Sequence, residues 1–163
     1  MKTKTFDART EKNLATLDAS VVAIARHFMD AAQVYIDENY PGLTIKIISG
    51  TRTFAEQNKL YAQGRSKPGK RVTNAPGGFS NHNFGIAFDV GIFRGNAYLG
   101  EHGVYGEIGE IGKSLGLEWG GDWKRFVDEP HYQMRPAWAM RFRESEMLAQ
   151  FRKMKKEGAS LFT

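Results

Sequence analysis

The sequence predicts an α+β fold in which a small antiparallel sheet packs together with helices. Stretches with apolar residues at helical spacing are interspersed with short runs rich in β-branched and aromatic residues. These elements lack the repeated strand–helix–strand order that produces a parallel sheet. With 163 residues the chain is long enough to bury one core, and we expect a single domain over residues 1–163, without a separate binding domain.

The first long helix is predicted after a polar N-terminal arm. Between Val21 and Ile36, apolar residues recur at the spacing of one helix face. Asp18 or Ser20 can cap the start of this helix, and the segment NYPG at 39–42 ends it.

A strand and a short helix are predicted next. The run LTIKIIS at 43–49 is rich in β-branched residues and indicates a strand. In the helix that follows, Thr53 and Glu56 have the spacing of a capping box, and Gly64 supplies the C-terminal stop. Residues 64–81 carry Gly, Pro, Lys, Arg, Asn and Ser, and predict a long, irregular, basic loop.

The second half of the chain contains three further strand-like segments and two helices. The strands are GIAFDV at 85–90, a turn-rich region LEWGGDW at 117–123, and PHYQM at 130–134. Apolar residues at 108–115 predict a short helix that Gly116 closes. Pro136 suits the first turn of a C-terminal helix that reaches about Lys156.

Composition narrows the chemistry and the partners. Without cysteine, any metal must be held by His, Asp or Glu. No apolar run approaches the ~18 residues of a membrane span, and the N-terminal segment lacks the apolar core of a secretory signal peptide, so we expect neither. The net charge is +5, and residues 135–163 contain seven basic and three acidic residues. The predicted C-terminal helix therefore presents either an ordinary solvated face or a contact for an anionic polymer.

The segment SNHNFGIAFD at 80–89 contains the first candidate functional pair. Side chains alternate along a strand, so one face carries apolar residues and the other carries Ala87 and Asp89. His82 lies in the turn just before, and Gly85 allows the chain to bend so that the imidazole approaches the same face. A neutral imidazole and a carboxylate are suitable zinc ligands, although a surface or capping role for either residue remains open.

A catalytic zinc site needs a third protein ligand, which must come from elsewhere in the chain. His27 falls within the first helix, and His102 lies in a glycine-rich turn. His131 enters a predicted strand, with Glu129 and Asp128 two and three positions before it. Among these three histidines, only His131 has neighbouring carboxylates that could act as a base. The same acidic pair also fits an ordinary turn, so spacing alone leaves both interpretations open.

A family resemblance rests on these residues and on further segments in the same order. SNHNFGIAFD matches the S-x-H-x-x-G-x-A-x-D signature of zinc peptidases that include D-Ala-D-Ala carboxypeptidases and dipeptidases. The match continues in four segments, namely SGTRT at 49–53, EQNKLYAQGR at 56–65, VTNAPGGFSNHNFG at 72–85, and WGGDW before DEPHYQ. Over roughly residues 45–134 the chain resembles the L-alanyl-D-glutamate endopeptidase branch, which is well represented among bacteriophage endolysins.

The resemblance implies a metal site in a cleft at the sheet, within the fold shared by D-Ala-D-Ala peptidases and the hedgehog signalling domain. It implies that His82, Asp89 and His131 hold one catalytic Zn²⁺ ion. Asp128 occupies the place of the catalytic carboxylate, with Glu129 as the alternative base.

The resemblance also implies roles for three residues around the metal. Arg52 matches an arginine that orients or polarises the substrate, although a salt bridge that holds the loop is the alternative. Ser80 and Gln57 match positions that line the cleft and contact the substrate.

The implied function is zinc-dependent hydrolysis of the L-Ala–D-Glu bond of peptidoglycan stem peptides by a phage endolysin used in host lysis. A D-Ala-D-Ala carboxypeptidase or dipeptidase, and a non-catalytic zinc-stabilised wall-binding module, are the alternatives. We expect a monomer made in the host cytoplasm and released to the wall in the periplasm by another factor. The sequence contains no nucleic-acid recognition motif, and we expect no nucleic-acid partner.

Two other groups of residues are assigned to structure rather than to function. Trp119 and Trp123 are interpreted as packing and turn residues instead of a sugar-binding platform. The methionines at seven-residue spacing are interpreted as core contacts of the last helix, namely Met140, Met147 and Met154.

Overall fold

A five-stranded antiparallel sheet organises the structure, a computed structural model that describes residues 4–163. Its strands are β1 (Leu43–Ser49), β2 (Ala87–Arg94), β3 (Ala97–Leu99), β4 (Glu118–Trp119) and β5 (His131–Gln133). The order across the sheet is β1-β2-β5-β4, and β3 pairs with the far end of β2. The longest strand, β2, therefore contacts every other strand except β4.

Five α-helices surround the sheet within the described residues. They are α1 (Ala8–Leu14), α2 (Ala19–Asn39), α3 (Phe54–Ala62), α4 (Val104–Ser114) and α5 (Glu144–Glu157). The predicted α+β class with a small antiparallel sheet is confirmed. No helix in residues 4–163 combines the length and the apolar character that crossing a bilayer would require.

Two apolar clusters stabilise this arrangement. The larger one lies between α2, α4 and the sheet, where the ring of Tyr132 on β5 packs 4.4 Å from Phe28 and 5.7 Å from Phe88, centroid to centroid. The smaller one packs Phe84 against Phe151 of α5 at 5.3 Å. β2 contributes residues to both clusters, so apolar packing fixes this strand on both of its faces.

Local sequence signals predicted several boundaries correctly. β1 has the predicted bounds, and the Asp18 side chain caps α2 by accepting from the backbone N–H of Ser20 at 2.8 Å. At the start of α3, Thr53 and Glu56 form the reciprocal capping box. These features involve residues within one turn of each other, so the sequence pattern alone specifies them.

The predicted polar N-terminal arm is wrong, because part of it folds as α1. Asp7 caps this helix, and its Thr10 is fully buried against β1. The Thr10 hydroxyl accepts from the N–H of Ile47 at 3.0 Å, and Asn13 donates to the carbonyl of Ile47 at 2.9 Å. The helix thus satisfies backbone groups that the edge strand β1 would otherwise leave unpaired.

The predicted start of the C-terminal helix is also wrong. Pro136 has an extended backbone with ψ 150° and precedes a short 3₁₀ turn, Ala137–Ala139, so α5 begins only at Glu144. Met140 lies in this irregular segment with 64 % of its surface exposed, whereas Met147 is fully buried and Met154 is half-buried. The core role predicted for the methionines therefore holds within α5 and fails for Met140.

One ion pair on the N-terminal helices has a testable pH dependence. Both oxygens of Glu11 accept from Arg26, at 2.8 and 2.5 Å, and this hydrogen bonding lowers the pKa of Glu11 from 4.5 to about 2. Because the folded-state pKa lies below the unfolded one, the stabilisation is present above about pH 4.5 and is lost as the pH falls through about 2. We expect Glu11→Gln to lower the free energy of unfolding by about 1 kcal/mol at pH 7.

Urea unfolding at pH 7 and at pH 2 checks this expectation. The difference between wild type and Glu11→Gln should shrink at the lower pH. The matched control is Glu146→Gln, because its partner Arg143 is 85 % exposed, and it should change little at either pH. A Glu11→Gln difference of the same size at both pH values would contradict the linkage.

Candidate metal centre

Three side chains converge at the junction of β2 and β5. Asp89 on β2 lies directly opposite His131 on β5, and His82 comes from the 3₁₀ turn Asn81–Asn83. The Oδ1 atom of Asp89 is 3.0 Å from His131 Nδ1, and its Oδ2 atom is 3.2 Å from His82 Nε2. One donor atom from each residue lies within 4.8 Å of the others. Two imidazoles and one carboxylate with this convergence are the donor set of a catalytic zinc site, which keeps a fourth position open.

Local hydrogen bonds position His82. The Ser80 hydroxyl caps the 3₁₀ turn by accepting from the His82 N–H at 3.2 Å. In the opposite direction, Asn83 Oδ1 accepts from the Ser80 N–H. Gly85 follows with φ +76°, and a Cβ at this position would lie 3.0 Å from the backbone nitrogen of Asp18. The glycine therefore allows both the left-handed bend and the close approach that direct His82 toward β2.

The outer nitrogens of both imidazoles have hydrogen-bond acceptors. His82 Nδ1 lies 2.9 Å from the carbonyl oxygen of Gly50, and His131 Nε2 lies 2.7 Å from Oε1 of Gln133. When each outer nitrogen carries the proton that its acceptor requires, His82 Nε2 and His131 Nδ1 are left to bind a metal. Both of these nitrogens face Asp89.

The electrostatics of the cluster favour an ionised carboxylate. Burial opposes ionisation of Asp89, but the charges and hydrogen bonds of His82 and His131 outweigh it and hold its pKa well below the usual range. Burial likewise opposes protonation of His131, but the hydrogen bond to Asp89 raises the pKa of the imidazole. A positive charge is therefore stabilised beside Asp89, which fits the binding of a cation at this place.

Asp128 lies in the same cleft and is half-buried. Burial raises the pKa of its carboxyl, and the negative charge of Asp89 raises it further. A carboxylate with a raised pKa suits a group that accepts a proton and then donates it. Glu129, by contrast, is exposed and does not line this cleft, so the geometry favours Asp128 as the base.

Arg52 approaches the cleft from the segment between β1 and α3. Its guanidinium donates to Gln57 Oε1 at 2.8 Å and to Ser49 Oγ at 3.1 Å, and it forms no ion pair within residues 4–163. Burial lowers the pKa of Arg52, while the charge of Asp89 opposes that shift. The structure thus does not support the alternative salt bridge, and it leaves a cation in the cleft for an anionic group.

The cleft has a volume of about 580 Å³ and brings together six of the seven predicted site residues, namely Arg52, Ser80, His82, Asp89, Asp128 and His131. The seventh prediction needs correction, because Gln57 does not line the cleft and is fully buried behind Arg52. Its amide also donates to the carbonyl of Ala75 at 2.8 Å. Gln57 therefore links Arg52 to the loop that borders the cleft, without contact with the open space.

The other histidines lie outside the cluster. His27 is exposed on α2. His102 accepts from the N–H of Val104 at 3.0 Å, and its ring packs edge-on against Tyr40. Neither is placed to complete the group formed by His82 and Asp89.

Aromatic residues around the cleft were not predicted as part of it. The ring of Trp123 packs 4.9 Å from that of His131, so this residue borders the site as well as a turn. Phe79 and Phe126 line the same cleft and are 50 % and 78 % exposed. Phe126 has φ +54°, the one positive value for a non-glycine residue in the described chain. Exposed apolar side chains and backbone strain at a cleft indicate a binding surface, but neither has a sequence signature.

Comparisons with known proteins agree with this geometry. Residues 73–134 match the family model described as D-alanyl-D-alanine carboxypeptidase. The chain is 44% identical over 105 residues to the peptidoglycan L-alanyl-D-glutamate endopeptidase CwlK of Bacillus subtilis, covering 58% of this chain and 63% of that protein. It is 30% identical over 136 residues to the L-alanyl-D-glutamate peptidase of Listeria phage A118, covering 80% and 42%. The chain thus spans less than two thirds of each relative.

Solved structures show the same fold. The L-Ala D-Glu endopeptidase ChiX of Serratia marcescens superposes with a TM-score of 0.58 and 24% identity, over 82% of this chain and 91% of that one. The vancomycin resistance D,D-pentapeptidase VanY, solved with Zn(II), gives a TM-score of 0.52 and 18% identity, over 89% and 81%.

Proposed function

We propose that the chain belongs to the zinc peptidase family of D-Ala-D-Ala carboxypeptidases and L-alanyl-D-glutamate endopeptidases, and that it hydrolyses the L-Ala–D-Glu bond of peptidoglycan stem peptides. The observation that carries the proposal is the convergence of His82, Asp89 and His131 in one cleft with Asp128. The choice of this bond rests on the two sequence relatives, both of which bear that activity in their names.

We infer that His82, Asp89 and His131 hold one Zn²⁺ ion. A zinc ion in this position polarises the scissile carbonyl and lowers the pKa of a water from 15.7 toward ~7. Asp128 takes the proton as the water attacks and delivers it to the nitrogen of the leaving D-Glu. Arg52 holds a carboxylate of the stem peptide or the developing oxyanion, since its charge is fixed and its Nε–H is already oriented by Gln57.

A D-Ala-D-Ala carboxypeptidase is the second candidate, since the matching family model carries that description and VanY shares the fold. A non-catalytic zinc module is less well supported, because Asp128 and Arg52 both face the proposed metal site. Mass spectrometry of purified muropeptides digested with the protein distinguishes the three functions. We expect fragments that end in L-Ala and fragments that begin with D-Glu. Loss of the terminal D-Ala alone would favour the carboxypeptidase, and intact muropeptides would contradict both enzymatic functions.

We further propose that the protein is an endolysin that lyses its host cell, which the phage relative supports. The Bacillus relative supports the other biological setting, in which a bacterium remodels its own wall. Expression of the chain inside a Gram-negative cell together with a separate membrane-permeabilising protein tests the first role. Lysis that requires both proteins supports an endolysin released by another factor, and survival of the culture would contradict it.

The basic face of α5 is proposed to contact anionic polymers of the cell envelope. Two of its cations already have structural partners: Arg152 stacks on Phe79 at 3.9 Å and Lys155 lies 5.1 Å from the ring of Phe54. Lys153 and Lys156 are exposed, so they are the residues to neutralise. We expect Lys153→Gln/Lys156→Gln to weaken binding to purified sacculi at low salt, because fewer cations attract the polymer.

The matched control removes the same charge elsewhere, at the exposed residues Lys12 and Arg94. Lys12→Gln/Arg94→Gln should bind sacculi more tightly than the α5 variant. Equal losses for the two double variants would indicate a general effect of net charge and would contradict a binding face on α5.

A further inference from the structure

We propose that Gln133 is a positioning residue for His131, and that Glu118 and Arg135 determine the direction of its amide. The proposal deepens the zinc site inferred above and rests on it. The four residues form one relay from the candidate ligand to the protein surface, built on the neighbouring strands β4 and β5 and the segment that follows β5.

The first link of the relay is short and fully buried. Gln133 has no exposed surface, and its Oε1 atom lies 2.7 Å from His131 Nε2. His131 and Gln133 are two residues apart on β5, so their side chains lie on the same face of the strand. The amide oxygen can only accept a hydrogen bond, and it therefore requires a proton on Nε2 and leaves Nδ1 to face Asp89.

The second link decides which end of the amide meets His131. A glutamine side chain rotated by half a turn would present an N–H donor to Nε2 and favour the opposite tautomer. Glu118 lies opposite Gln133 in the β4–β5 pair, and its Oε2 atom accepts from Gln133 Nε2 at 3.0 Å. A carboxylate cannot donate, so it selects the orientation in which the amide nitrogen faces Glu118 and the oxygen faces His131.

The third link holds the carboxylate. The other oxygen of Glu118 pairs with Nε of Arg135, and Arg135 in turn donates to the carbonyl of Phe142 at 2.7 Å. The relay therefore ends in the irregular segment before α5, which ties the orientation of His131 to the tertiary structure. Without Glu118 as a partner, the Gln133 amide could adopt either of its two orientations.

The relay has a consequence for the charge at the site. His82 donates to a backbone carbonyl and His131 to a neutral amide, so neither imidazole has a carboxylate behind it. Asp89 is then the one formal negative charge among the three candidate ligands. A divalent cation bound there keeps a net positive charge, and hence its ability to polarise a carbonyl, which a carboxylate behind His131 would reduce.

Zinc affinity of purified variants, measured by competition with a chelator, tests the relay. We expect Gln133→Leu to lower zinc affinity about 10- to 100-fold, the usual effect of removing an outer partner of a histidine ligand. The matched control is Gln150→Leu on the exposed side of α5, which should leave the affinity unchanged. Thermal unfolding of the metal-free variants separates positioning from folding, because a purely structural role would lower the melting temperature without changing the affinity of the folded fraction.

A reciprocal exchange tests the order of the links. Gln133→Glu alone places two carboxylates side by side, whereas Glu118→Gln/Gln133→Glu restores a donor–acceptor pair and keeps an acceptor toward His131. We expect Gln133→Glu to lower zinc affinity, because repulsion from Glu118 displaces the new side chain from His131, and we expect the double variant to recover most of that loss. A double variant no better than the single one would contradict the role of Glu118.

The outcomes for the relay and for the proposed function are separable. Wild-type protein that binds zinc but leaves muropeptides intact would overturn the proposed function, while the affinity series would still test the relay. Gln133→Leu protein that binds zinc as tightly as wild type and digests muropeptides normally would overturn the relay alone. If the wild type binds no zinc, the ligand set itself is wrong. The relay is then tested on metal-free protein, in which the His131 Nε2–H should exchange more slowly with solvent in the wild type than in Gln133→Leu. Equal exchange rates would overturn the relay as well.

Discussion

Asp128→Asn is expected to lower kcat on peptidoglycan by about 10²- to 10⁴-fold, the usual contribution of a general acid–base group. The amide has the size of the carboxyl but cannot take a proton from the attacking water. The side chain of Asp128 forms no hydrogen bond with the candidate ligands, and the contact with His131 is through the backbone carbonyl. Zinc should therefore remain bound at one equivalent in the inactive variant.

Steady-state turnover of a soluble muropeptide, measured together with zinc content, checks this expectation. Glu129→Gln is the matched control, since Glu129 is the exposed acidic neighbour and should retain near wild-type turnover. Full activity in Asp128→Asn would remove Asp128 from the mechanism. Inactivity of Glu129→Gln with an active Asp128→Asn would transfer the role of base to Glu129.

His131→Ala is expected to lose both zinc and activity. The imidazole supplies one of three candidate ligands, and its removal leaves His82 and Asp89 as a two-residue site with a further open position. Turnover should fall to the level of the metal-free protein, and added zinc at micromolar concentration should not restore it. His27→Ala is the matched control, because His27 is an exposed histidine on α2 outside the cleft.

Zinc content by atomic absorption after dialysis, with turnover on the same samples, gives the comparison. A His131→Ala protein that keeps one equivalent of zinc and remains active would remove His131 from the ligand set. Loss of zinc from His27→Ala would show that the measurement reports general instability instead of ligation.

The pair His82 and Asp89 could be predicted from the sequence because the necessary information is local. Strand alternation places Asp89 away from the apolar face, and Gly85 marks the bend that follows His82. The third candidate ligand, His131, depends on distant sequence instead. Its contact with Asp89 joins residues 42 apart through the β2–β5 register. In the sequence, the neighbouring carboxylates favour this histidine over His27 and His102, and the family resemblance implies its role as the third ligand.

Gln57 illustrates the opposite case. Its place in the matching segments implied a residue that lines the cleft, but burial turns its amide toward Arg52 and the carbonyl of Ala75. Gln133 was not predicted at all, although its position two residues after His131 puts both side chains on one face of a strand. What the sequence could not show was the partner across the sheet, Glu118, which gives the amide its direction.

The errors in the predicted secondary structure also arise where local sequence does not specify the conformation. The helix predicted from Pro136 failed because proline tolerates both a helical first turn and the extended conformation that the chain adopts there. The hairpin of β2 and β3 was missed although Gly95 and Asn96 form a recognisable two-residue turn, since β3 is only three residues long. Short elements of this kind depend on pairing with a neighbour more than on their own composition.

We propose that one zinc ion held by His82, Asp89 and His131 makes this chain an L-Ala–D-Glu endopeptidase. The most direct test is a titration of metal-free protein with zinc, in which mass spectrometry quantifies muropeptide fragments that end in L-Ala. We predict that their rate of formation rises in proportion to added zinc and stops rising at one equivalent. Formation of these fragments without metal, or their absence at saturating zinc, would contradict the claim.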